Sequence, residues 1–85
     1  MTTEDEFLDA QRRVEALPKS PGNDKLLELY GLYKQATKGD ATGKRPGMFD
    51  LKGRAKFDAW SLRKGMTAEE ARAAYVKLVD ALTTA

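Results

Sequence analysis

Neither cysteine nor histidine occurs among the 85 residues. The first absence excludes a disulfide framework, a thiolate nucleophile and any cysteine-based metal site. The second removes the commonest general base and the commonest metal ligand. Apolar runs reach only a few residues, far short of a membrane span. The opening string MTTEDEF is acidic and has no apolar core, so it does not read as a secretory signal, and the expected location is cytoplasmic. GDATGKR contains a Gly-Lys pair but not the Gly-x-x-x-x-Gly-Lys-Ser/Thr spacing of a P-loop. No dense carboxylate cluster points to a metal. Catalysis would rest on Asp, Glu, Lys, Tyr and Ser/Thr alone, so the chain is expected to bind rather than to react, and no cofactor is expected.

What remains is a globular composition, 41% apolar and 33% charged, in one domain covering residues 1–85. Net charge is only +2, yet it is unevenly spread. Residues 34–64 hold nine basic side chains against three acidic ones, while the remainder is net acidic. A positive middle on a mildly acidic protein points to an anionic partner more strongly than the total charge does.

Hydrophobic spacing predicts four helices and no strand. The first covers about 3–17, with Phe7, Ala10, Val14 and Leu17 on one stripe, Thr3 as cap and three acids in its first turn. Pro18 and Pro21-Gly22 end it. The second covers about 23–36, starting at Ser20-Pro21 or at Asn23. Leu26, Leu29, Tyr30 and Tyr33 form one of its stripes, and Leu27, Gly31 and Lys34 an adjacent one. Gly31 inside a helix costs about 1 kcal/mol relative to Ala, so something close to the backbone is expected there. Residues 37–49 form a loop longer than bundle connections usually need, which permits a crossover leaving the second and third helices parallel. Met48 and Phe49 are expected to anchor this loop, and Arg45 to reach an acid or a carbonyl. The third helix covers about 51–63 with Asp50 as cap; Leu51, Ala55, Ala59 and Leu62 share a face. Lys64-Gly65 stops it, and Thr67-Ala-Glu-Glu70 is a capping box that opens the fourth.

Two aromatic–basic clusters flank the loop. Tyr30, Tyr33 and Lys34 lie on the second helix, and Lys52, Arg54, Lys56, Phe57 and Trp60 on the third. Rings stack on a heterocycle, while a phenol and an ammonium bond phosphate oxygens, so the pair suits a nucleotide-like ligand. Spacing alone fits equally well with tyrosines in the core and lysines on a solvated face. Trp60 reads as a packing residue. Tyr75 lies on an apolar stripe and needs a partner for its hydroxyl if buried. Two other readings stay open: a small basic helical nucleic-acid-binding module, and a protein-interaction module.

The strings YGLYKQATKGD and GKRPGMFDLKGRAKFDAW, with the spacing to AAYVKLVDAL, resemble the acyl-CoA-binding protein family over nearly the whole chain. The resemblance implies an all-α four-helix bundle of up-down-down-up order with a long crossover between helices two and three. It implies a monomeric carrier and pool buffer for long-chain fatty acyl-CoA, held non-covalently and handed to acyl-CoA-using enzymes, with no nucleic acid and no stable membrane insertion. By the same resemblance Tyr30, Tyr33 and Lys34 hold the adenine and ribose 3′-phosphate, Lys56 meets the phosphates, Lys52 adds a basic contact, and Tyr75 lies in the nucleotide site. Gly31 is counted with this ligand-binding set. The chain departs from the family pattern at Glu15, where a basic residue is common, and at Phe57, where tryptophan is common. An acyl trough is expected near helices one and two, with Leu27 as a contact.

Overall fold

The computed structural model describes residues 3–84; Met1, Thr2 and Ala85 of the expected 1–85 domain lie outside the described residues. Four helices form: α1 (Glu4–Glu15), α2 (Asn23–Lys38), α3 (Leu51–Ser61) and α4 (Ala68–Thr83), with no strand among the described residues.

Local chemistry sets most of the boundaries. Thr3 caps α1 by accepting from the Glu6 amide, and Glu6 accepts from the Thr3 amide in return. Thr67 and Glu70 repeat the reciprocal pair at α4. Asp50 caps α3 by accepting from Gly53 N at 3.0 Å. The start of α2 is different. Gly22 stands before it at φ 97°, a backbone state that L-residues rarely adopt, and no side chain caps it. Two ends fall short of the sequence reading: α1 stops at Glu15 rather than near Leu17, and α3 at Ser61 rather than Arg63, while α2 runs on to Lys38.

The core belongs to three helices. Phe7 and Ala10 of α1, Leu29 and Leu32 of α2, and Tyr75 and Val79 of α4 are buried together. No residue of α3 is buried, although α3 packs along α2. The helices lie side by side in the order α1, α4, α2, α3, and the Cα extents are 37 × 29 × 14 Å.

Residue pairings fix the directions. Asn23 to Tyr30 face Leu51 to Lys56, Gly31 meets Ala59, and Lys34 meets Trp60, so α2 and α3 run parallel. Phe7 pairs with Tyr75 and Arg13 with Asp80, so α1 and α4 are parallel too. Gln35 near the end of α2 bonds the Met66 carbonyl just before α4, which makes α4 antiparallel to α2. The order is therefore up-down-down-up.

The crossover is held at both ends and along its length. Trp60 Nε1 donates to the Gly39 carbonyl at 2.7 Å. Asp40 accepts from buried Gln35 Nε2 at 2.8 Å and from Gly65 N at 2.9 Å. Arg45 clasps Asp58 with two hydrogen bonds of 2.9 and 2.6 Å, so of the two expected partners, acid or carbonyl, it has the acid. Met48 and Phe49 do not anchor the loop. They occupy the corners of a turn closed by Asp50 N to Gly47 O at 2.9 Å and are 69% and 97% exposed. Polar pins to α3 and to the α3–α4 turn replace the expected apolar ones.

Candidate functional site

The outer face of α2 brings the first cluster into view, with a wall on either side. On the α1 side, the Phe7 ring stacks on Tyr33 at 6.0 Å between centroids and meets Tyr75 edge-on at 5.1 Å. On the α3 side, Lys56 Nζ stands 5.4 Å from the Tyr30 ring centroid, and Lys34 Nζ stands 4.7 Å from that of Trp60. Each ammonium is thus held over a π-face, an arrangement that keeps a cation in place without neutralising it. Neither lysine has an acidic partner among the described residues. The face remains electropositive and open to an anion.

A groove of about 420 Å³ opens from this face between α2 and α3. Its walls are Leu26, Leu27 and Tyr30 on α2 and Leu51, Lys52, Ala55 and Lys56 on α3. Lys52 stands on its rim, and Tyr30 and Lys56 mark where the apolar groove meets the cationic face. A smaller groove of about 300 Å³, floored by Leu27, Ala55, Ala59 and Leu62, lies along the same helix pair with acidic Asp24, Glu28 and Asp58 at its edge. The Leu51–Leu62 face of α3 therefore lines grooves rather than a core. Leu27 faces α3, not α1, so the apolar trough lies between helices two and three instead of near helices one and two. The reason is the core: α1 and α4 fill the other side of α2.

Two further residues of the expected ligand-binding set are buried. Gly31 is buried, and a Cβ built on it would collide with the Ala59 carbonyl and come within 2.8 Å of its carbonyl carbon. The structure turns it to α3, away from the open face, and close packing accounts for the glycine. Tyr75 is only 5% exposed and belongs to the core. Burial first, then the Glu15 charge and Tyr33, pushes its phenol above the ordinary tyrosine value. Its hydroxyl has no hydrogen-bond partner among the described residues, and Tyr33 lies close enough to act on it electrostatically. Arg13 does not turn towards this face: it is tied to Asp9, Asp80 and Thr83 on the α4 side.

Phe7 is the wall that sequence reasoning missed. Its spacing marked it as core, and nothing local signals that it also stacks on Tyr33. Trp60 packs as expected but also carries Lys34, which the four-residue spacing of Lys56 and Trp60 does not reveal.

A family model described as acyl CoA binding protein matches residues 4–79. Acyl-CoA-binding protein homolog 1 of Caenorhabditis elegans is 54% identical over 76 residues, covering 89% of this chain and 88% of that one. The crystal structure of Oryza sativa acyl-CoA-binding protein 2 superposes with a TM-score of 0.88 at 46% identity, covering 93% of this chain and 88% of that one. The rat protein named enoyl-CoA delta isomerase 2 is 45% identical over 82 residues, 96% of this chain but 21% of its own length.

Proposed function

The chain belongs to the acyl-CoA-binding protein family, and from that premise we propose that it binds long-chain fatty acyl-CoA, head on the outer face of α2 and tail in the α2/α3 groove. One observation carries the reading. Tyr30, with Lys56 above it, is at once the edge of a ring-and-ammonium surface and the lip of an apolar groove. An amphiphile with a polyanionic nucleotide at one end meets both halves without a break.

Tyr30 and Tyr33 flank the adenosine part, Lys34 and Lys56 take phosphate oxygens, and Lys52 adds charge at the groove rim. The Tyr75 hydroxyl, near Tyr33, supplies a further donor. Charge-assisted hydrogen bonds of this kind contribute about 1.5–3 kcal/mol each. Each methylene removed from water contributes about 0.8 kcal/mol before ordering costs, so the tail dominates affinity. The protein acts as a monomeric cytoplasmic carrier that withdraws the thioester from water and delivers it to enzymes, with no reaction of its own.

Calorimetry with CoA and a series of saturated acyl-CoA esters tests this. Affinity should rise by up to about fourfold per methylene until the groove is filled. Affinity independent of chain length would remove the groove from the account.

A further inference from the structure

The turn at residues 47–50 presents apolar side chains where turns usually carry Gly, Asn, Asp or Ser. Met48 and Phe49 sit at its corners, and Leu51, the next apolar residue, is 76% exposed. The turn is not loose. Asp50 closes it onto the Gly47 carbonyl and caps α3 through Gly53 N, so the three side chains are displayed from a defined base. Leu51 is also a wall of the 420 Å³ groove, so the groove borders this apolar tip.

Charge surrounds the tip. Residues 44–56 contain five basic side chains and a single acid, Asp50, which is engaged as the cap. Among them Lys52 has no acidic partner among the described residues, and only Arg45 is ion-paired. A convex apolar tip in a cationic setting matches an anionic bilayer surface: headgroups face the lysines, and the tip enters the acyl boundary. A rigid protein pocket fits it less well, because the Phe49 ring is 97% exposed and leans on nothing in this chain.

We infer that the Met48–Phe49–Leu51 tip docks this protein reversibly on anionic membranes. Docking brings the Leu51 wall of the groove to the bilayer, so an acyl chain can pass between lipid and groove without crossing water; this second step rests on the acyl-CoA reading above, and docking does not.

Co-sedimentation of the full ligand-free chain with phosphatidylcholine vesicles, with and without 30 mol% phosphatidylglycerol (about a third), tests docking. The expected result is binding to anionic vesicles that weakens with salt and little binding to neutral ones. Phe49→Ser should weaken it about tenfold or more, given the transfer free energy of a phenyl ring. Leu8→Ser, which removes an exposed leucine from α1, should leave it unchanged. Both positions are exposed enough for the fold to survive, and circular dichroism checks that it does. Palmitoyl-CoA affinity of Phe49→Ser in vesicle-free buffer should equal the native value, so failure of the ligand reading shows in calorimetry and failure of docking in sedimentation. Equal binding to both vesicle types, or full binding by Phe49→Ser, overturns the inference. So does self-association by light scattering that Phe49→Ser abolishes, which would make a second copy the occupant.

Discussion

Gly31 of α2 lies against the Ala59 carbonyl of α3, with 2.8 Å between the position a Cβ would take and the Ala59 carbonyl carbon, and 3.3 Å to Trp60 N. No side chain fits between these backbones. Gly31→Ala gains about 1 kcal/mol of helix propensity. It also forces two backbones apart, and overpacking costs about 1–3 kcal/mol, more when no flexible side chain can yield. The second effect wins. Thermal unfolding followed by circular dichroism should show a midpoint lowered by several degrees, since about 1 kcal/mol shifts a domain of this size by about 4–8 °C. Because α3 carries Lys52 and Lys56, the same substitution should weaken palmitoyl-CoA binding. An unchanged midpoint would show that α3 is free to slide on α2.

Head and tail are separable by mutation. Lys56 stands over Tyr30, and Leu27 lines both grooves. Lys56→Ala should weaken CoA and palmitoyl-CoA by the same factor, about ten- to a hundredfold for a charge-assisted phosphate contact. Leu27→Asp should weaken only the acylated ligand. Calorimetry on both variants with both ligands gives the comparison. A loss confined to palmitoyl-CoA for Lys56→Ala would move the phosphates away from this residue.

Much of the fold was legible because its signals are local. Thr3, Asp50 and the Thr67–Glu70 pair each declare a helix start within four residues of sequence, and each cap is present. Loop length permitted the parallel course of α2 and α3, and the family resemblance implied it. What was hidden depends on which helices share the core. Periodicity shows that α3 has an apolar face but not that this face lines open grooves, since an identical stripe serves either end. For the same reason the trough that Leu27 contacts was expected near helices one and two. Phe7 and Tyr75 looked like core, and they are, but Phe7 also stacks on Tyr33 and so forms a wall of the open face, with Tyr75 edge-on behind it.

Acid should loosen the crossover. The Gly65 amide first, then the Gln35 amide group, holds the Asp40 carboxyl below the usual carboxylate range; the Arg45 clasp does the same for Asp58. A carboxyl whose pKa is lower in the folded state stabilises it above the unfolded value and loses that contribution as pH falls through the folded value. Urea unfolding should therefore give constant contributions from both acids at neutral pH and a decline below about pH 4. Asp40→Asn keeps an acceptor for Gly65 but cannot titrate, so its stability should fall less over that window. Identical acid slopes for the native chain and the variant would assign the decline to other groups.

Glu15 offers the sharpest electrostatic test, because its charge reaches the Tyr75 phenol. Glu15→Lys replaces an anion facing the proposed phosphate region with a cation. CoA binding should tighten and become more salt-dependent, as expected for an added exposed charge. The phenol gives an independent readout without ligand. Burial is the larger cause of its upward displacement and stays in place, but Glu15 adds to it, and a cation there favours the phenolate. Ultraviolet titration should thus show the Tyr75 transition at lower pH in Glu15→Lys, with Tyr75→Phe identifying which transition belongs to it. If the transition moves and CoA affinity does not, Glu15 faces Tyr75 but lies outside the phosphate contacts, and the head group must sit nearer to Lys34 and Lys56.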